Sequence, residues 1–144
     1  MQFYQSVLSI TIKIIVKRGN EMSFVFVALG GALGAVARYA ISLIPVKGQF
    51  PILTLVTNML GAILIGFIVG LTDKKDEISP NTVLFWKTGV CGGFTTFSTF
   101  SLEAYKLFEN KAYALGGMYA VMSVCCCFFG VLLGKKMATV IGKS

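Results

Sequence analysis

Residues 92–101 read Gly-Gly-Phe-Thr-Thr-Phe-Ser-Thr-Phe-Ser, a helix-breaking glycine pair and five hydroxyl side chains inside an apolar run of membrane length. In hydrocarbon an unsatisfied peptide group is costly, so an interrupted helix survives there only when it is packed in protein or lines a polar path. An ion site is the leading expectation for this segment, with the interruption placed at Gly92-Gly93.

The surrounding chain fits a membrane setting. Of its 144 residues, 56% are hydrophobic and only 13% charged, more apolar surface than a soluble domain of this size can hide. Four runs are long enough to cross a hydrocarbon core of about 30 Å, at roughly 22–44, 51–71, 82–105 and 112–134. Short, charge-bearing connections join them (Lys47-Gly48-Gln49, Asp73 to Glu77, Glu109-Asn110-Lys111). The expected fold is an all-α membrane protein of four transmembrane helices with a broken third helix. Residues 22–134 form the helical domain, 135–144 a basic C-terminal tail, and 1–21 an N-terminal extension. That extension is too short and too charged to span. Either translation starts at Met22, or residues 1–21 lie in the interface as an amphipathic anchor.

The net charge of +7 is read as lysines at helix ends and tails meeting anionic lipid headgroups, not as a nucleic-acid surface. Cys91 and the run Cys125-Cys126-Cys127 lack metal-ligand spacing, and the chain contains no histidine; they are read as reduced packing residues. Nothing resembles an enzyme site: no buried carboxylate pair, and no nucleophile with a base beside it. Gly30/Gly34, Gly66/Gly70, Gly89/Gly93 and Gly130/Gly134 are each four apart, the spacing that allows close helix approach.

Few polar residues lie within the spans. Asn58 is either interhelical glue or a ligand donor. Arg38 either snorkels to the headgroups or supplies a charge in an anion vestibule. Phe97 and Phe100, three apart, share a helix face beside the hydroxyls of Thr96, Ser98 and Thr99. Their positive ring edges suit an anion. Tyr119 and Ser123, four apart, could continue that file.

Three motifs now make a resemblance: Gly-Gly-x-x-Gly-Ala-x-x-Arg-Tyr at 30–39, Thr-Leu-x-x-Asn-x-x-Gly at 54–61, and Gly-x-x-Gly-Gly-x-Thr-Thr-Phe-Ser-Thr-Phe at 89–100. From about residue 22 to 134 the chain resembles the CrcB/Fluc family of fluoride channels. The resemblance implies an antiparallel dual-topology dimer with two fluoride pores and one structural sodium ion at the centre of the interface. It assigns the backbone carbonyls of Gly92 and Thr95 to the sodium. It places Asn58, Phe97 and Phe100 in the pore, with Ser98, Thr99, Tyr119 and Ser123 along its polar track. Passive export of cytoplasmic fluoride across the cell (plasma) membrane, giving fluoride resistance, is the implied role. The expected partners are fluoride, membrane lipid, and either a second copy or an oppositely oriented paralogue.

The rival reading is a proton-coupled exporter of the small multidrug type. It requires a membrane-embedded carboxylate, and the nearest acid, Glu103, stands toward the end of the third run. Charge placement bears on orientation. Lys13, Lys17, Arg18, Lys74, Lys75, Lys87, Lys135, Lys136 and Lys143 fall on one side, and Arg38, Lys47, Lys106 and Lys111 on the other. A start at Met22 would remove Lys13, Lys17 and Arg18, and so much of the bias toward one orientation.

Overall fold

The computed structural model describes residues 21–73 and 78–141. Four helical regions follow one another, and among the described residues there is no strand. Helix α1 is Glu21–Ser42 and α2 is Ile52–Thr72, entered through Pro51. The third region starts with α3, Pro80–Val83, where Pro80 takes the first helical position and so forfeits no bonded amide. It continues through a π-helical stretch, Leu84–Cys91, into α4, Gly92–Phe94. After Thr95 and Thr96, α5 covers Phe97–Glu109. The last helix, α6, is Tyr113–Ile141. Three helices, α1, α2 and α6, are long and apolar enough to cross a membrane.

The N-terminal extension expected at 1–21 lies, apart from Glu21, which opens α1, outside the described residues, as do the charges at Lys74, Lys75 and Lys143. At the other end α6 runs past the expected boundary at 134 to Ile141. Packing explains the extra length: Ala138 is fully buried, and a Cβ at Gly70 would come within 2.7 Å of the Ala138 methyl.

The α5–α6 connection is short because the chain reverses in a C-cap motif. The Ala112 amide bonds to the Leu107 carbonyl at 2.9 Å and the Lys111 amide to that of Phe108 at 3.0 Å. Lys111 takes the left-handed φ of 58° that this motif requires at that position.

The eight paired glycines divide the domain into two seams. Gly30 and Gly34 face Phe85, Gly89, Val90 and Phe94, while Gly89 and Gly93 face back onto α1 at Val27, Gly30 and Gly31. Gly66 and Gly70 face Val131, Lys135 and Ala138, and Gly130 and Gly134 answer onto Met59, Ala62, Ile63 and Phe67 of α2. At Gly34 an added Cβ would collide with the Val90 carbonyl oxygen, and at Gly134 with that of Ile63. Backbones thus touch where any side chain would hold them apart. The outer faces remain apolar: Leu29, Leu33 and Val36 on α1, and Val121, Val124 and Phe128 on α6, are exposed, as a lipid-facing surface requires.

Candidate ion pathway

The site is organised by Thr96. Thr95 (φ −80°, ψ 157°) and Thr96 (φ −149°, ψ 111°) are extended between two helical stretches. Gly92, by contrast, is helical (φ −64°, ψ −38°). The interruption therefore falls at the threonines, not at Gly92-Gly93. Gly93 has a packing role instead: a Cβ there would strike the Gly31 carbonyl oxygen.

What holds Thr96 open is a residue far away in sequence. The Thr96 amide donates to Asn58 Oδ1 at 2.8 Å, and Asn58 Nδ2 donates to the Thr96 carbonyl at 3.2 Å. One side-chain amide thereby satisfies both backbone groups of a residue that has left the helix. The Thr96 hydroxyl then caps α5, accepting from the Thr99 amide at 3.2 Å and donating to Thr99 Oγ1 at 2.9 Å.

These bonds release two carbonyls. In a continuous helix the Thr96 amide would bond to Gly92 and the Thr99 amide to Thr95; both amides are turned elsewhere. The neighbouring Gly93 carbonyl is taken by Arg38 Nε at 3.2 Å. Thr95 Oγ1 is spent locally, donating to the Cys91 carbonyl at 2.9 Å. A Cβ at Gly92 would meet nothing within 4 Å, so its face of the chain is open.

A cavity of about 360 Å³ lies beside this segment, lined by Asn58, Gly92, Thr95, Thr96, Phe97, Phe100 and Ser123 together with apolar side chains. Phe97 is 77% exposed and its ring lies 5.5 Å from that of Phe100. Phe100 in turn lies 5.2 Å from Tyr119, and Phe50 meets Tyr119 edge-on at 5.5 Å. Tyr119 is fully buried. The Ser123 hydroxyl is buried beside the cavity, with the Tyr119 hydroxyl, four residues back on α6, as its polar neighbour.

Six of the residues singled out from the sequence (Asn58, Gly92, Thr95, Phe97, Phe100 and Ser123) thus line one space. Tyr119 stands behind Phe100. Ser98 and Thr99 contact the Thr96 hydroxyl, with Ser98 Oγ 3.4 Å and Thr99 Oγ1 2.9 Å from Thr96 Oγ1. Arg38 bonds to the Gly93 carbonyl, two residues before the first extended threonine.

Glu103, an acid toward the end of the third run, is tied into the site. Glu103 Oε2 accepts from the Tyr119 hydroxyl at 2.7 Å, and its Oε1 accepts from Thr54 Oγ1 at 2.8 Å. Glu103 also lines a second, more polar space of about 270 Å³ with Gln49, Lys106 and Asn110. The carboxylate therefore borders the second space and is linked to the first through contacts with Tyr119 and Phe100. Spacing held the clue: Phe100 and Glu103 are three apart on one helix face, as Thr54 and Asn58 are four apart on another.

Residues 25–135 match the family described as CrcB-like protein, Camphor Resistance (CrcB). The chain belongs to the CrcB family. Among its CrcB relatives, the "Fluoride-specific ion channel FluC" of Clostridium perfringens is 43% identical over 118 residues, covering 80% of this chain and 92% of that one. The protein of the same name from Ruminiclostridium cellulolyticum is 42% identical, covering 83% and 95%. "Fluoride-specific ion channel FluC 1" of Staphylococcus aureus is 37% identical and covers 88% of each. With three long apolar helices, this CrcB chain is a multi-pass membrane protein. None of these relatives' names supports the small multidrug reading.

Proposed function

We propose that the chain is a fluoride-specific channel that lets cytoplasmic fluoride leave the cell across the plasma membrane, down its gradient. The observation that carries this reading is the cavity that Asn58, Phe97, Phe100 and Ser123 line together, with Tyr119 packed behind Phe100 and hydrogen-bonded to Glu103. Fluoride is small and strongly hydrated, so passage requires donors that replace its water in a bore too narrow for larger halides. Asn58 spends one Nδ2 hydrogen on Thr96 and keeps the other. Ser123 offers a hydroxyl at the cavity, and the phenyl rings offer weakly positive edges. Such donors bind moderately, which conduction needs.

In this reading the third span is a broken helix and two copies assemble antiparallel, either as a homodimer or with a paralogue. The chemistry of the Gly92–Thr95 segment fits a structural sodium ion. Two carbonyls have lost their helical donors and the adjoining face has room for a second copy. Oxygen dipoles hold a monovalent cation without a carboxylate. Gly92 and Thr95 would be the ligands from each copy, and a bound sodium would add a fixed positive charge that ties the two copies together.

Purified protein in liposomes tests the function. Fluoride and chloride release are followed with ion-selective electrodes, and the expected result is rapid fluoride loss with chloride retained. Equal release of both halides, or of neither, contradicts the proposal.

A further inference from the structure

Arg38 is half-buried, and its position follows from the α1 seam. The close approach of Gly31 and Gly34 to the 90–94 backbone brings Nε within 3.2 Å of the Gly93 carbonyl. Among the described residues the one ion pair is Lys135–Asp73, so no described carboxylate within 4 Å offsets the guanidinium. An arginine guanidinium carries a positive charge. Gly93 stands directly beside Gly92 and two residues before Thr95.

We propose that Arg38 restricts the cation site at Gly92 and Thr95 to ions of single charge. The inference rests on the sodium reading above. A guanidinium fixed beside the site repels a bound cation in proportion to that cation's charge, so a divalent ion meets twice the repulsion of a monovalent one. Ionic size supplies no such discrimination, because Na⁺ and Ca²⁺ have nearly equal radii. Arg38 also withdraws the Gly93 oxygen from coordination, whereas Ca²⁺ takes about 6–8 oxygen ligands. Both effects act against Ca²⁺, and the charge effect is the larger because full charge meets full charge.

Thermal unfolding of the purified full chain in detergent, in a background free of metal cations and titrated with Na⁺ or Ca²⁺, reads cation binding without measuring flux. For the unaltered chain the midpoint should rise with Na⁺ and stay flat with Ca²⁺. In Arg38→Gln, Ca²⁺ should raise it as well, with apparent Ca²⁺ affinity improved by about tenfold or more and Na⁺ affinity changed less. Arg38→Lys should keep the discrimination, since charge persists while the planar donor is lost. Arg38→Met gives the same reading if the Gln variant is not monodisperse. A neutral variant that still ignores Ca²⁺, or a Lys variant that behaves like Gln, overturns the assignment to charge. If neither cation moves the midpoint of the unaltered chain, the sodium reading itself fails and this inference with it.

Discussion

The Asn58 side chain grips both sides of the Thr96 peptide backbone, accepting from its amide at 2.8 Å and donating to its carbonyl at 3.2 Å. Two helical regions are thereby locked at the point where one of them leaves regular geometry. Asn58→Asp keeps the acceptor, removes the donor and adds a negative charge beside the cavity. Liposome assays should find fluoride flux abolished. Asn58→Leu removes both bonds and should lower stability by about 2–4 kcal/mol, from two half-buried backbone groups left unpaired, as read by thermal unfolding in detergent.

Phe97 and Phe100 separate a transport role from a packing role. Phe97 is largely exposed, so Phe97→Ile should cut fluoride flux at least tenfold with a midpoint near that of the unaltered chain. Phe100 packs on Tyr119, so Phe100→Ile should cost flux and in addition about 1 kcal/mol of stability from the lost aromatic pair. Unchanged flux in both variants would remove the rings from the pathway.

Tyr119→Phe deletes the donor to Glu103 Oε2 and leaves only the Thr54 hydroxyl bond to the carboxylate. Loss of a charge-assisted bond should destabilise the protein by about 1.5–3 kcal/mol. Because Tyr119 supports Phe100 at the cavity, flux should fall as well. Glu103→Gln replaces one acceptor by a donor and should weaken the same two hydroxyl contacts; comparison of flux and unfolding midpoints in the two variants and their double mutant tests whether they act as one unit.

The glycines give a prediction with an internal control. At Gly34 a Cβ would run into the Val90 carbonyl oxygen and lie 2.8 Å from the Phe94 amide nitrogen, backbone that cannot swing away. Gly34→Ala should therefore destabilise by about 1–3 kcal/mol or more. At Gly117 nothing lies within 4 Å, so Gly117→Ala should be neutral or stabilising by up to about 1 kcal/mol through helix propensity. Unfolding midpoints that fail to separate the two would contradict the seam geometry.

Helix-scale features were legible because hydrophobic length and glycine spacing are local properties. The first two spans end within two residues of α1 and α2, and all four glycine pairs face neighbouring backbone. What escaped depends on contacts distant in sequence. A glycine pair signals a break by propensity, yet Gly92 stays helical and the chain opens at Thr96 because Asn58, 38 residues away, captures its amide. Glu103 looks like a span-end acid until Tyr119 and Thr54 are seen folded onto it. The extra turns of α6 likewise follow from Gly70 opposite Ala138, a match that no single helix carries.

The two extended threonines have one more consequence. They set the C-terminal end of one helical stretch, at Phe94, within three residues of the N-terminal end of the next, at Phe97. Aligned peptide dipoles give these ends opposite partial charges, equivalent to roughly half an electron charge each for a full-length helix. The carbonyl pole lies over Gly92–Phe94. The amide pole lies at Phe97 and Ser98, whose N–H groups have no acceptor within their own helix. A single interruption therefore presents an electropositive and an electronegative terminus side by side, and peptide units alone can attend to ions of both signs in a segment, residues 92–101, that contains no ionisable side chain.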